Sequence, residues 1–405
     1  MSSEQPTSHR KSHGKSRRWL RWVLGLLAVA LVAALSVLRF YVLPKVDASS
    51  NRVLDRGPYA VSDRARALHD GAFVADLHAD ALLWKRDLRR RHHRGHVDLP
   101  RLRDGGVDLQ VFSVVTRVPH GSNYRSNADT DRLPLLFLGS WRGPSTWLPG
   151  ADRSARSRAL AQAAELRRLA RRSGDVVLVR SREDLGKDGL KALLATEGMH
   201  GFTGVETVDR LFEAGYRMMA PTHFTDTAVA GSAHGVDKGG LTELGKTLLP
   251  RLEALGITVD LAHASPQAVD DVFRLATRPV VFSHAGVQGT CPGSRNLSDR
   301  QLRRLARNGG VVGIGYWKGA VCDASLKAVT RAILYAVQVA GVDHVGLGSD
   351  FDGNITAPFD TAGLPLITEA LLNRGMAPGD VEKVLGGNVR RVLSANLPSS
   401  GDAAP

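Results

Sequence analysis

The chain has 405 residues, with 54 Lys and Arg against 40 Asp and Glu, and 43% of its residues are hydrophobic. That hydrophobic content excludes a disordered chain, and two cysteines exclude both a disulfide-rich scaffold and a four-cysteine zinc site. The net charge of +14 raises the possibility of a polyanionic partner, but residues 1–103, with 20 basic and 9 acidic side chains, carry +11 of it. The rest of the chain is nearly neutral, so a nucleic-acid-binding protein is not favoured.

The N-terminal region has the pattern of a membrane anchor. Residues 1–21 are polar and basic, and Trp22–Leu38 then runs for 17 residues without a charge. Such a run reaches the short end of what spans a bilayer, and its basic flank predicts a cytoplasmic N-terminus. We therefore expect a basic cytoplasmic tail at 1–21, a transmembrane helix at 22–43, and a catalytic domain outside the cytoplasm. A cleaved signal peptide is the alternative, although no clear small-residue cleavage site follows the apolar run.

Eight short apolar segments between residues 72 and 350 have the character of strands that are buried on both faces. They are Ala72–Leu77, Leu109–Val115, Ala192–Thr196, Met218–Thr222, Ile257–Ala262, Pro279–Ser283, Val311–Tyr316 and Val345–Ser349. Helical patterns lie between many of them, the clearest at Asp152–Arg172. Strands that alternate with helices over about 300 residues predict an α/β fold, a (β/α)8 TIM-type barrel. A doubly wound open sheet is the alternative, but the sequence has no glycine-rich nucleotide fingerprint.

The remaining segments complete the predicted organisation. We expect a linker and entry helix at 44–68, the barrel at 69–396 and a disordered tail at 397–405. Lys85–Arg103 is rich in Arg and His. We interpret this segment as a solvated basic loop in preference to a metal or nucleic-acid site.

Polar side chains stand where six of the predicted strands end. In a barrel, the carboxyl ends of the strands meet on the face that carries the active site. The residues are Asp76, His78 and Asp80 at the first strand, Glu197 and His200 at the third, His223 at the fourth, Asp260 and His263 at the fifth, His284 at the sixth, and Asp350 and Asp352 at the eighth. Imidazoles and carboxylates without cysteine are the ligand mixture for Zn2+ or Mn2+.

The spacing of these residues favours two ions. His78 and Asp80 are two residues apart, so they point to the same side of a strand and can hold one ion together. His263 and His284 follow neighbouring strands and can hold another. A carboxylate is needed to bridge the two cations, and Glu197 is the natural candidate. Two metals that share one hydroxide lower its pKa enough to make a nucleophile at neutral pH, so the predicted reaction is metal-assisted hydrolysis.

With these residues in place, the sequence resembles the membrane dipeptidases, which are renal dipeptidase-like metallopeptidases, over about residues 70–395. The matching segments occur in the order found in the family. They are the His-x-Asp at the first strand, His96–Arg103, Glu197–His200, Thr222-His223, Asp260–Ser265, Phe282–His284, Arg295-Asn296, Gly348–Gly353 and Gly387–Val392.

The resemblance implies a binuclear zinc site with two Zn2+ per chain. His78, Asp80 and Glu197 would bind one ion. Glu197, His263 and His284 would bind the other, so that Glu197 bridges the pair.

The resemblance also implies roles for three further residues. His223 would stabilise the tetrahedral oxyanion, Arg295 would pair with the C-terminal carboxylate of the substrate, and Asp350 would handle protons for the bridging water and the leaving amine. The implied substrates are dipeptides, including ones with a D-residue at the C-terminal side. Relatives are often dimers, so a homodimer is a further expectation.

Cys291 and Cys322 fall where some relatives have a disulfide, with two buried free thiols as the alternative. Two departures from the family pattern concern specificity. Met199 replaces a glycine that family members often have after the bridging Glu, and the glycine-rich loop Thr225–Lys238 looks shorter than in some relatives. His234 lies in this loop, which looks mobile, and has no evident partner.

Two alternative functions stay open. One is a related amidohydrolase that acts on N-acyl amino acids or β-lactams. The other is a non-catalytic, membrane-anchored binding protein, which would be expected to lose ligands, whereas all five proposed ligands and Asp350 are present.

Overall fold

The computed structural model describes residues 13–131 and 154–401. Residues 1–12 of the predicted cytoplasmic tail, the first two residues of the predicted helix Asp152–Arg172, and residues 402–405 of the predicted tail lie outside this range. The chain divides into two compact units, Met1–Val46 and Asp47–Pro405.

The described part of the N-terminal unit is helical. Helix α1 covers His13–Val37, a π-helical segment covers Leu38–Val42, and helix α2 covers Leu43–Ser50. Within the described residues, one helical stretch, Trp19–Ser50, is long and apolar enough to cross a membrane, and a signal sequence near an N-terminus has the same properties. The expected apolar helix is therefore present at the expected place.

The second unit contains short strands, which are numbered here in chain order. They are β1 Arg52–Val53, β2 Val74–Ala79, β3 Val107–Val115, β4 Val176–Leu178, β5 Leu190–Glu197, β6 Tyr216–Ala220, β7 Thr258–Val259, β8 Val281–Val287, β9 Asn296–Leu297, β10 Val311–Ile314, β11 Val345–Leu347 and β12 Thr356–Ala357.

Helices alternate with the strands. They are α3 Asp63–Gly71, α4 Leu99–Asp104, α5 Ala155–Ser173, α6 Val205–Glu213, α7 Glu243–Ala254, α8 Pro266–Leu275, α9 Asp299–Asn308, α10 Lys318–Val321, α11 Leu326–Ala340, α12 Pro365–Asn373, α13 Pro378–Glu382 and α14 Asn388–Asn396. Local sequence sets the ends of many of them. Ser298 and Gln301 form a reciprocal capping box at the start of α9, and Gly309 ends that helix in the left-handed conformation.

Eight of the strands form a closed parallel barrel. The order along the sheet is β7, β6, β5, β3, β2, β11, β10 and β8. A bridge between Asp260, which follows β7, and Val281 in β8 joins the two ends. Each predicted strand overlaps one of these eight. The predicted barrel is confirmed, and the open doubly wound sheet is wrong.

The prediction missed four strands. The two-residue strands β1 and β12 pair with each other, β9 pairs with β8, and β4 pairs with β5. Segments of two or three residues are too short to show the alternation that reveals a strand.

The barrel interior continues directly into the site. Alternate residues of each strand face the same side. Leu193 and Ala195 of β5 belong to one buried cluster with side chains from five other barrel strands and from α14. Glu197 is the next residue in that alternating row, at the carboxyl end of β5. This register places its side chain at the mouth of the barrel.

Candidate metal centre

Glu197 lies at the centre of a group of imidazoles that come from four other strand ends. Its Oε1 is 2.8 Å from Nε2 of His263 and 3.2 Å from Nε2 of His284. Its Oε2 is 3.4 Å from Nε2 of His223 and 3.9 Å from Nε2 of His78. All five side chains are buried. The carboxylate therefore has imidazoles at both of its oxygens.

Two more carboxylates lie on the His78 side of the group. Nε2 of His78 is 3.6 Å from Oδ1 of Asp80 and 4.0 Å from Oδ1 of Asp350. Both carboxylates are buried. Three overlapping sets of potential ligand atoms each lie within 4.8 Å of one another: His78, Glu197 and His284; Glu197, His223 and His263; and His78, Asp80 and Asp350.

Hydrogen bonds behind the imidazoles orient the rings. Oγ of Ser283 is 3.3 Å from Nδ1 of His78 and 2.8 Å from Nδ1 of His284. Nδ1 of His223 is 3.2 Å from the backbone oxygen of Arg117, so this nitrogen is the donor. These contacts occupy Nδ1 and leave Nε2 directed toward the carboxylates, as second-layer partners of ligand histidines do.

Backbone geometry also serves the site. His263 and Asp350 adopt positive φ angles of 65° and 61°, and Gly198, directly after Glu197, has a φ of 85°. Non-glycine residues rarely adopt this left-handed conformation, and such strained positions cluster at functional sites. Each of these turns redirects the chain at the end of a strand.

Several polar atoms of the group are left without partners. Among the described residues, Nε2 of His78 and Oδ1 of Asp80 are buried and have no hydrogen bond. Oε1 of Glu197 also lacks one, since its close contacts do not have hydrogen-bond geometry. Buried polar groups are costly when unsatisfied. A cation at this point would satisfy all three, and a nitrogen and oxygen donor set without thiolate fits zinc.

The electrostatics of the group favour cation binding. Burial lowers the pKa values of His263 and His284 well below the usual range, and Arg295 lowers them further. Burial alone would raise the pKa of Glu197, but His223 and His78 outweigh it and lower that pKa. The centre therefore offers the ionised carboxylate of Glu197 and the neutral imidazoles of His263 and His284, which have lone pairs free for a metal.

Arg295 lies beside this group. Its Nη2 donates to the backbone oxygen of His284 at 2.6 Å, and its guanidinium lies 5.4 Å from the ring centroid of Trp317. Nε of Arg295 is buried and makes no hydrogen bond within the described part of the chain. A charged donor is thus available at the edge of the centre.

All eight residues selected from the sequence, namely His78, Asp80, Glu197, His223, His263, His284, Arg295 and Asp350, are brought to this mouth of the barrel. Cys291 and Cys322 form a disulfide with an S–S distance of 2.09 Å. It links the segment that precedes Arg295 to the residue that follows α10.

Two interpretations of polar residues were wrong. His234 does not lack partners in a mobile loop, because it is fully buried and its Nδ1 donates to the backbone oxygen of Tyr124 at 3.3 Å. The Arg- and His-rich segment is not simply a solvated loop, because Arg86 and His96 are buried and both contact Asp352. Side-chain composition alone did not reveal these distant partners.

The sequence reasoning also missed the aromatic residues around the centre. Phe224 lies 5.2 Å from His263, and Trp317 lies 5.9 Å from His284, measured between ring centroids. Tyr124 stacks on Phe224 at 5.9 Å. Single aromatic residues in polar loops gave no periodic signal, so only the assembled fold identifies them.

Known proteins with a similar sequence identify the family of this chain. The profile of the membrane dipeptidase family, Peptidase family M19, matches residues 62–400. The chain belongs to this family. The resemblance drawn from the motifs is thus confirmed, and so is the expected enzyme class, a metallo-dipeptidase of the hydrolases.

Individual members of the membrane dipeptidase family agree with this assignment. The chain is 30% identical over 348 residues to the protein named dipeptidase aclJ of Aspergillus oryzae, covering 79% of this chain and 77% of that one. The solved structure of dipeptidase AC, a metallopeptidase of family M19, has 26% identity and a TM-score of 0.67 over 81% of this chain and 99% of its own. A metallopeptidase from Rhodobacter sphaeroides was solved with a phosphinate mimic of the dipeptide L-Ala-D-Ala. It has 28% identity and a TM-score of 0.67, over 80% of this chain and 99% of its own.

Proposed function

We propose that this protein is a membrane-anchored dipeptidase that uses two zinc ions to hydrolyse dipeptides. The observation that carries the proposal is the position of Glu197, whose two carboxylate oxygens face the Nε2 atoms of four buried imidazoles. Membership of the membrane dipeptidase family supports the same conclusion.

Five residues would hold the ions. His78 and Asp80 would take one and His263 and His284 the other, with Glu197 shared between them. The unsatisfied atoms of His78, Asp80 and Glu197 support this assignment. When bound, a zinc pair supplies Lewis acidity and lowers the pKa of water, so that hydroxide is available as the nucleophile at neutral pH.

The other three residues would act on the substrate. His223, fixed by the backbone oxygen of Arg117, directs Nε2 at the centre and would stabilise the oxyanion that forms during attack on the peptide carbonyl. Asp350 lies 4.0 Å from His78 and would pass a proton from the attacking water to the leaving amine. Arg295 would bind the free carboxylate through its unpartnered Nε.

The proposed substrates are dipeptides, including ones with a D-residue at the C-terminal side. Arg295 supports a substrate with a free carboxylate close to the scissile bond. The related Rhodobacter sphaeroides metallopeptidase was solved with a mimic of L-Ala-D-Ala, which supports acceptance of a C-terminal D-residue.

One experiment tests the reaction. The full chain is purified in detergent, its metal content is measured, and a panel of L,L and L,D dipeptides is assayed with and without chelator. We expect two zinc ions per chain and cleavage that chelator abolishes and zinc restores. Absence of metal, or full activity in Glu197→Ala, would contradict the proposal. Rapid internal cleavage of longer peptides would contradict the role of Arg295.

The apolar N-terminal helix would anchor the enzyme with its N-terminus in the cytoplasm and the barrel outside. The basic residues that precede Trp22 support this orientation. In intact cells, a membrane-impermeant maleimide is expected to label Ser399→Cys but not Ser8→Cys. Equal labelling of both variants, or removal of the helix from the mature chain, would exclude this topology.

A further inference from the structure

Tyr124 follows β3 and is held by three neighbouring loops. Its backbone oxygen accepts hydrogen bonds from Oγ of Ser294 at 3.1 Å and from Nδ1 of His234 at 3.3 Å. Its phenol oxygen accepts one from Nε1 of Trp317 at 2.8 Å. Its ring stacks on Phe224. These partners belong to the loops after β6, β8 and β10. The first two of these loops carry His223 and Arg295, so Tyr124 is fixed in position beside the centre.

The phenolic proton of Tyr124 is not used by the described residues. An indole N–H only donates, so the phenol oxygen is the acceptor in its bond with Trp317. Its own O–H has no acceptor in the described parts of the chain. The residue is 41% exposed, which leaves room for an incoming partner. Tyr124 therefore presents a hydrogen-bond donor that the fold itself does not use.

Arg295, the proposed carboxylate-binding residue, has an unused donor as well. The guanidinium of Arg295 lies 5.4 Å from the ring of Trp317, the same indole that holds the phenol of Tyr124. Nε of Arg295 is buried without a partner within the described residues. The charged donor of Arg295 and the neutral donor of Tyr124 therefore both lie next to the side chain of Trp317. Donors in this arrangement suit a planar anion with two oxygens, such as a carboxylate.

The protonation state fits this role. Burial raises the pKa of Tyr124, and the charge of Arg295 opposes that rise without cancelling it. The phenol is therefore protonated at neutral pH and acts as a donor toward an anion.

We propose that Tyr124 donates its phenolic O–H to the terminal carboxylate of the substrate, so that Tyr124 and Arg295 form a two-point clamp. The inference rests on the proposed dipeptidase function and deepens it, since it restricts the substrates to dipeptides with a free C-terminal carboxylate. Loss of the hydroxyl should weaken binding and leave the chemical step unchanged, because the contact is the same in the ground state and the transition state.

The kinetic test compares Tyr124→Phe with wild type in the zinc-loaded full chain. The substrates are an alanyl-alanine dipeptide and its C-terminal amide. We expect the substitution to raise KM for the acid about 10-fold, since a hydrogen bond to a charged group is lost, with kcat within about 2-fold. KM for the amide should not change. Tyr335→Phe is the matched control, because it removes a phenol that donates to Asp299 on the outer helices.

Each other kinetic outcome overturns the clamp. An unchanged KM for the acid would show that the phenol does not contact the carboxylate. An equal rise in KM for acid and amide would assign Tyr124 a packing role. A fall in kcat at constant KM would assign it to the oxyanion.

A binding measurement separates the clamp from the reaction. Titration calorimetry with a phosphinate dipeptide mimic and with its C-terminal amide should give an approximately 10-fold weaker Kd for the acid in Tyr124→Phe, and no change for the amide. Suppose that Tyr124→Phe binds the acid more weakly than the wild type does, binds the amide equally well, and that the wild type hydrolyses no dipeptide. The clamp then stands and the proposed function fails. If dipeptides are hydrolysed but both proteins bind the acid equally, the clamp fails alone.

Discussion

Two buried clusters of this molecule use the same residue types in opposite ways. The metal-centre cluster comprises His78, Asp80, Glu197, His263 and His284. The Asp352 network comprises Asp47, Arg86, Arg94, His96 and Asp352. All ten residues are drawn from His, Asp, Glu and Arg, and both clusters adjoin the barrel mouth, since Asp352 stands two residues after Asp350.

In the Asp352 network the charges are paired. Asp352 is fully buried and accepts hydrogen bonds from the backbone N–H of His96 at 2.7 Å and from Nη2 of Arg86. Nε of Arg86 lies 3.5 Å from Oδ2 of Asp47, and Nε of Arg94 donates to the same oxygen at 2.8 Å. The imidazole of His96 stacks on Phe351 at 5.1 Å. This network ties Asp47 of α2 and the segment from Arg86 to His96 to the loop that carries Asp350.

The difference lies in how the carboxylates are paired and not in residue type. Each carboxylate of the Asp352 network has a cationic partner within the barrel unit. In the metal-centre cluster, Oδ1 of Asp80 and Oε1 of Glu197 are buried without a hydrogen bond among the described residues. In the Asp352 network the corresponding atom is Nε of Arg86, which still lies 3.5 Å from Oδ2 of Asp47. Buried carboxylates that each have a guanidinium partner stabilise the fold, whereas buried carboxylate oxygens without a hydrogen bond indicate that a cation is to be bound. The predictions below test this contrast.

The largest expected effect is on activity, in Glu197→Gln. An amide cannot replace a shared carboxylate between two cations, and loss of about 4 kcal/mol of transition-state stabilisation corresponds to roughly a 1,000-fold fall in kcat/KM. Without metal, the variant should unfold at a lower denaturant concentration than the metal-free wild type, because the lowered pKa of Glu197 means that its ionised form stabilises the folded state beside His223 and His78. Activity assays and urea unfolding of both chelated proteins measure the two effects. A variant that keeps wild-type activity would contradict the assignment of Glu197 to the metal centre.

The next effect is on stability, in Asp352→Ala. This change leaves the buried Arg86 without its main partner, and removal of one member of a buried ion pair typically costs about 3–5 kcal/mol. We expect the urea unfolding midpoint of the variant to fall, because its free energy of unfolding is lower. The folded fraction should keep its zinc content. An unchanged unfolding midpoint, or loss of zinc from folded protein, would show that Asp352 belongs to the metal-centre cluster.

The same contrast explains what sequence could predict. Barrel strands such as Val311–Ile314 are continuous apolar runs, so their number and order could be predicted. His78 and Glu197 could be predicted as site residues because they stand at strand ends. The partners of Arg86 could not be predicted, since Asp352 is 266 residues away and no periodicity relates them. Tyr124 and Trp317 meet only after the barrel closes. Contacts within an element leave a local pattern in sequence, whereas contacts between loops do not.

The smallest effect is a pH dependence. Burial alone would raise the pKa of Asp352, but Arg86 and His96 outweigh it and lower that pKa below the ordinary value of 3.8. The stability from its ionised form is therefore fully present above about pH 4 and is lost as the pH falls below it. It amounts to about 1.4 kcal/mol for each unit by which the pKa of Asp352 is lowered.

The comparison is made in Glu197→Gln, with and without Asp352→Asn, so that metal release does not contribute. The difference in unfolding free energy between the two proteins should be constant from about pH 5 to 8 and should shrink below pH 4. A difference that grows on acidification would mean that Asp352 is protonated in the folded protein, and the network would then resemble the metal-centre cluster in holding an unsatisfied carboxyl group.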